Sequence, residues 1–268
     1  FLKDNKDLLK CDVILNPDAG MISPEHPTIV YGLRGLTYFE LNIYGPDHDL
    51  HSGMFGGIIH NPAIVLSELI TKMHDENWKV TLPGFYDDVI LLSDEEREKL
   101  SRLPISEDDL KRQTGAPALC GEKGYSSIER LGARPTLEIN GMLSGFTGEG
   151  SKTIIPSSAM AKISMRTVPN QDPDKIYQQL KNFIELNVPK TVKWDLKQFA
   201  GGWASISDIS HPGVIALTKA LENVWGIEPL FKREGGSIPV VAAMQRFLGK
   251  DSVLTGFGLP EDKIHSPN

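Results

Sequence analysis

Between Leu36 and Phe199 the sequence sets out extended and helical segments in an order that few folds accept. Leu36 to Tyr44 alternates with period two, placing Thr37, Phe39, Leu41 and Ile43 on one face of a strand. Asn61 then caps a helix with Pro62 in its first turn, and Ile64, Leu66, Leu69, Ile70 and Met73 carry its apolar side. Strands follow at Thr136–Asn140 and Ala159–Val168, a helix started by Asp172 runs from Pro173 to about Asn187, and a last strand spans Thr191–Phe199. Strand, helix, strand, strand, helix, strand is the split βαβ order of a ferredoxin-like layer. Residues 79–134 interrupt it with polar, irregular sequence, read as an insertion with two short helices: a charged one at Asp94–Leu100 and one opened by a Ser106–Asp109 capping box.

The flanks obey a different grammar. A short apolar strand at Cys11–Leu15 runs into the turn-forming Asn16-Pro17-Asp18-Ala19-Gly20, and Thr28–Tyr31 is extended. Beyond Gly201-Gly202, a helix from Pro212 to Val224, a glycine turn at Arg233–Pro239, a helix over Val240–Leu248 and a strand at Ser252–Gly256 continue the α/β alternation. The expected fold is α/β: one sheet domain from residues 1–35 and 206–268, interrupted by an inserted ferredoxin-like α+β domain at 36–205.

With 268 residues, 40% of them hydrophobic, the chain can bury a sizeable core. A net charge of -7 without a basic run argues against nucleic acid. No apolar run nears the ~20 residues that span a membrane, and no signal peptide is visible. Cys11 and Cys120 are too few for a disulfide framework, which suits two reduced thiols in a cytoplasmic protein.

Several groups suit chemistry. In Arg233-Glu234-Gly235-Gly236-Ser237-Ile238-Pro239, paired glycines let backbone approach a ligand, and the following helix offers unpaired N–H groups at its start. Asp18 follows a strand's C-terminal end, where open α/β sheets keep ligand groups. Asp49-Leu50-His51-Ser52-Gly53 leaves His51 free to donate from a glycine-rich loop, or to be a plain surface histidine. Lys152-Thr153-Ile154-Ile155-Pro156 presents a hydroxyl or is a simple hairpin connection. Arg166, opposite in parity to Ile163 and Met165, carries a fork that suits a carboxylate, though an ordinary exposed strand arginine fits equally. Asp18 and His265 are an oxygen and an imidazole donor, and two such ligands alone do not make a metal site.

Taken in order, Tyr31-Gly32-Leu33-Arg34-Gly35, the His51 loop, Lys152–Pro156, Arg166-Thr167-Val168-Pro169, Arg233–Pro239 and Ile264-His265-Ser266 resemble the dinuclear metallopeptidases that include carnosinase and cytosolic nonspecific dipeptidase. Aminoacylases and succinyl-diaminopimelate desuccinylase are wider relatives. The resemblance implies hydrolysis of dipeptides or short peptides, with 1–35 and 206–268 as a partial catalytic domain for two zinc or manganese ions and 36–205 as a lid or dimerisation domain that builds a homodimer. It implies Asp18 and His265 as metal ligands and His51 as an oxyanion donor reaching the partner subunit. Thr153, Arg166, His211, Glu234, Gly236 and Ser237 become substrate contacts, with Arg166 on the C-terminal carboxylate and Glu234 on the free amine. The family's His-x-Asp motif and Glu-Glu pair are absent, and its order would place both before Phe1. The expectation is a piece of a longer parent that holds the metals, with this chain inactive alone. A related deacylase and a non-catalytic dimerisation fragment are the alternatives.

Overall fold

A computed structural model describes residues 1–199, 201–259 and 262. In chain order the first elements are β1 (Ile14–Asn16), β2 (Thr28–Leu33), β3 (Gly35–Tyr44), β4 (Leu50–His51), α1 (Ser52–Phe55) and α2 (Pro62–Thr71). The 79–134 stretch contributes α3 (Asp94–Ser101), α4 (Glu107–Thr114) and α5 (Ser127–Ala133). Then come β5 (Thr136–Ser144), β6 (Ile154–Ile155), β7 (Ser158–Thr167), α6 (Pro173–Asn187) and β8 (Lys193–Gln198). The chain continues with β9 (Ser205–Ile206), α7 (Pro212–Trp225), β10 (Leu230–Glu234), α8 (Pro239–Leu248) and β11 (Ser252–Leu254).

The ferredoxin-like expectation holds. One sheet runs β5-β7-β3-β8, antiparallel throughout. Along β3 every second residue is buried, so Thr37, Phe39, Leu41 and Ile43 face inward. Phe39, Leu41 and Ile43 meet Val65, Leu66 and Leu69 of α2 and Ile176, Leu180, Phe183 and Ile184 of α6 in a single core. Asn61 Oδ1 accepts from Ala63 N at 2.9 Å and Asp172 Oδ1 from Asp174 N at 2.8 Å, so both helices start on capped ends.

The second sheet draws strands from both flanks, in the order β1-β11-β2-β10, with β9 also paired to β2. All six residues of β2 are buried, as in a strand covered on both faces. Ile29 packs with Val214 and Leu221 of α7, whereas its neighbour Val30 packs with Val241 of α8. Adjacent strand residues point to opposite faces, so the two helices clothe the two sides. A single residue, Arg34, links β2 to β3, and Leu36 and Gly202 exchange backbone hydrogen bonds at 2.8 and 2.7 Å.

The 79–134 stretch departs from the reading of two short helices. α4 has the expected Ser106–Asp109 capping box, but α5 is a third helix with a box of its own, Ser126 with Glu129. It is also less detached than its polar composition suggests. Glu96 on α3 accepts from the Tyr31 hydroxyl at 2.7 Å and from Arg233 Nε at 2.8 Å, so the insertion is fastened to β2 and β10. Burial and the neighbouring Glu96 charge raise the Tyr31 pKa, which keeps the hydroxyl a neutral donor.

Candidate functional site

A cleft of about 890 Å³ opens where the flanking sheet meets the insertion. Asp18 lies on one wall, two residues past β1, with its backbone N–H on Asn16 Oδ1 at 2.9 Å. Its carboxylate makes no hydrogen bond or ion pair among the described residues. Glu234, Gly235, Gly236 and Ser237, the turn between β10 and α8, form a second wall. The third wall is apolar and belongs to the insertion: Leu103, Ile105, Leu110, Ile128 and Leu131. The structure therefore gathers Asp18, Glu234, Gly236 and Ser237 around one space.

Local chemistry explains the shape of the turn. A Cβ on Gly235 would lie 2.9 Å from Leu131 O and 3.0 Å from Arg34 Nη2, so only glycine fits between the insertion and the arginine. A Cβ on Gly236 would find nothing closer than Glu234 Cγ at 3.9 Å, which leaves that space to a ligand. Pro239 opens α8, and Ile238 before it provides no side-chain cap, so the first N–H groups of the helix keep no side-chain partner from that residue.

Arg166 reaches the turn from the other sheet. On β7 it alternates with buried Ile163 and Met165 and is itself half-buried, with Nη1 donating to Ser237 Oγ at 2.9 Å. Ser237 Oγ in turn donates to the Arg34 carbonyl at 2.6 Å, and Arg34 Nε donates to Gly235 O at 3.1 Å. Burial first, and then the like charge of Arg166, lower the Arg34 pKa to about 10, with Glu138 and Glu234 opposing. The Arg34 guanidinium remains charged at neutral pH. Glu138, at an exposed position of β5, has its carboxyl raised by desolvation against the opposing charge of Arg34.

His51 and Thr153 form a separate group. β4 and β6 pair antiparallel with His51 opposite Ile154, and Ser52 N donates to Thr153 O at 3.0 Å. His51 Nδ1 accepts from Gly53 N at 3.0 Å. A neutral ring so engaged carries its proton on Nε2 and presents it as a donor. Both residues are exposed, and neither lines the cleft. His211 caps α7, its Nδ1 accepting from Gly213 N at 3.1 Å, and it does not line the cleft either. His265 lies outside the described residues. Among those described, no three His, Cys, Asp or Glu side chains converge as a metal site would require, so Asp18 is a lone oxygen donor there.

Three features of the site were not singled out in the sequence. Arg34 was read only as part of the Tyr31–Gly35 motif, because its partners lie about two hundred residues away. Lys232 pairs with Glu234, Nζ to Oε2 at 2.8 Å, on β10, a strand absent from the sequence reading, which gave Arg233 and Glu234 to the turn. The apolar wall was hidden in the polar insertion, although Ser126-Ser127-Ile128-Glu129 carries a readable capping-box signal for α5.

The M20 peptidase dimerisation domain model matches residues 31–192. The Cys-Gly metallodipeptidase DUG1 of Candida albicans is 33% identical over 97% of this chain and 54% of its own length. The human Beta-Ala-His dipeptidase is 30% identical over 96% of this chain and 51% of its own. Among solved structures, the M20 family metallo-carboxypeptidase Sso-CP2 from Sulfolobus solfataricus superposes with a TM-score of 0.87 at 30% identity, over all of this chain and 61% of that one. The chain spans about half the length of the curated relatives it matches. Its matched domain, and a fold shared along its whole length with such a peptidase, place this chain in the M20 peptidase family.

Proposed function

We propose that the whole protein hydrolyses the peptide bond of dipeptides or short peptides with divalent metal ions, and that this chain supplies its substrate-binding walls and its dimerisation layer. One observation carries the reading: Asp18 and the Glu234–Ser237 turn share a cleft, and Arg166 crosses from the antiparallel sheet to rest on Ser237. The names of two relatives, a Cys-Gly metallodipeptidase and a Beta-Ala-His dipeptidase, support the same substrate class.

In this reading the Arg166 fork exchanges its Ser237 hydroxyl for the substrate's terminal carboxylate, a stronger charge-assisted bond. Glu234 accepts the free amine, and Gly236 lets backbone lie close to the substrate. Ser237 and the Arg34 carbonyl fix where Arg166 points. His51 Nε2–H and the Thr153 hydroxyl act from the partner subunit of a homodimer, the His51 proton facing the oxyanion that forms when water adds to the carbonyl. His211, with Nδ1 committed to its cap, offers its other ring edge to the substrate. Two ions, zinc or manganese, belong to the proposal with Asp18 and His265 among their ligands, but the described donors fall short of a metal site. What the described residues do is bind and orient the substrate and exclude water. The division into catalytic segments 1–35 and 206–268 around a lid at 36–205, and a cytoplasmic location consistent with free Cys11 and Cys120, form part of the same proposal.

The test is hydrolysis of Cys-Gly and other unblocked dipeptides by the whole protein, with and without a chelator. Metal-dependent release of free amino acids, lost when the N-terminus is acetylated, is the expected result. Preferential cleavage of the acetylated compounds would replace the dipeptidase reading with a deacylase. Arg166→Met is expected to raise KM by about tenfold or more, the loss of a charge-assisted bond.

A further inference from the structure

The cleft contains a charge pair that the proposed hydrolysis leaves unexplained. Lys232 and Glu234 stand two residues apart on β10, both line the cleft, and their charged groups touch at 2.8 Å. Only 16% of the lysine side chain is exposed, against 40% of the glutamate's. Glu234 thus already holds an ammonium, and an incoming amine must displace Lys232 or share the carboxylate with it. Displacement strands a largely buried cation, and breaking a buried pair costs more than breaking an exposed one. Sharing sets two cations side by side.

A ligand that brings a carboxylate next to its amine avoids both costs, since its amine takes Glu234 while its carboxylate takes Lys232. The other charged groups on the cleft narrow the choice of cation. Asp18 and Asp109 are acidic, and Arg233 is committed to Glu96, with Nε at 2.8 Å and Nη2 at 2.5 Å. Lys232 is therefore the lysine or arginine lining the cleft, among the described residues, whose partner is itself a ligand-binding group.

We propose that Lys232 is a specificity-determining residue that favours dipeptides whose first residue is Asp or Glu, seating the side-chain carboxylate on its ammonium while the α-amine sits on Glu234. The inference rests on the dipeptidase reading for its substrate class.

The experiment compares Asp-Gly with Ala-Gly for the wild-type protein, Lys232→Met and Lys232→Arg, each checked for folding by thermal melting. Two readouts are taken: kcat/KM with the metal-loaded whole protein, and calorimetric binding to the metal-free protein, where nothing turns over. The expected result is a preference for Asp-Gly of about tenfold in the wild type, near the worth of one charge-assisted bond. The preference falls toward one in Lys232→Met and persists in Lys232→Arg. No Asp-Gly preference in the wild type, or an equal loss of both ligands in Lys232→Met, overturns the proposal. If Lys232→Met fails to fold, Lys232→Gln takes its place and the wild-type preference still decides. Absence of hydrolysis of any dipeptide by the loaded protein would sink the dipeptidase reading instead, while the binding preference continues to judge Lys232.

Discussion

Arg34 holds the glycine turn at three points. Its backbone N–H donates to Glu234 O at 3.3 Å, its Nε to Gly235 O at 3.1 Å, and its carbonyl accepts the Ser237 hydroxyl at 2.6 Å. Arg166 donates to that same hydroxyl, and its charge opposes that of the Arg34 guanidinium. Such an arrangement needs the planar guanidinium, which can hydrogen-bond along one edge while its charge spreads over three nitrogens. Methionine at position 34 would strand the Gly235 carbonyl, and lysine would keep the charge without the fork. Arg34→Met is therefore expected to lower the unfolding free energy by about 1.5–3 kcal/mol, and Arg34→Lys to recover only part of it. Urea denaturation of the three proteins measures both. Equal stabilities would mean that the turn keeps its shape without the arginine.

At the scale of elements, the insertion is coupled to the site through several close contacts, one of them at Gly132. On α5, a Cβ at Gly132 would lie 2.6 Å from Arg233 Cβ and 2.7 Å from Arg233 O, so the helix rides directly on β10. Alanine in an exposed helix interior stabilises by about 1 kcal/mol relative to glycine. Here the added methyl meets strand backbone, and Gly132→Ala is expected to destabilise by roughly 1–3 kcal/mol, as overpacking does. It should also loosen the apolar wall that Ile128 and Leu131 give the cleft. Thermal melting decides the sign, and a rise in midpoint would refute the contact. The same element shows where sequence reading stops. Strands β3 and β7 were legible because one face is buried and the other is not, which writes alternation into the sequence. Helices α2 and α6 announced themselves by cap, proline and apolar spacing. β10 had no such signature: in Leu230-Phe231-Lys232-Arg233-Glu234 the charged residues are held by partners distant in sequence or in the cleft, not by exposure. Asp18 and the glycine turn could be named one by one, but that they share a cleft follows from β1 and β10 joining one sheet through β11 and β2, which local patterns do not encode.

At the scale of the whole molecule, the loops bearing His51 and Thr153 stand apart from the cleft, and the proposed homodimer is what would bring them to one. The span matched by the dimerisation model exposes large apolar side chains close to His51 in sequence: Met54 at 72%, Ile58 at 74% and Ile64 on α2 at 57%. Exposed apolar residues so concentrated mark an interaction surface, and a stable dimer needs roughly 1,000 Å² or more of total buried area. Val224 on α7 is equally exposed, at 75%, but lies outside the matched span and serves as the control. Sedimentation equilibrium is expected to give twice the chain mass of 29.6 kDa, falling to a single chain in the Ile58→Asp, Ile64→Asp double variant and unchanged in Val224→Asp. Neither Ile58 nor Ile64 lines the cleft. If the partner's His51 takes part in the reaction, the whole protein carrying that pair should lose activity with its cleft intact, and recover part of it at concentrations that restore the dimer. Full activity in a demonstrated monomer would return His51 to the role of an ordinary loop histidine capping α1.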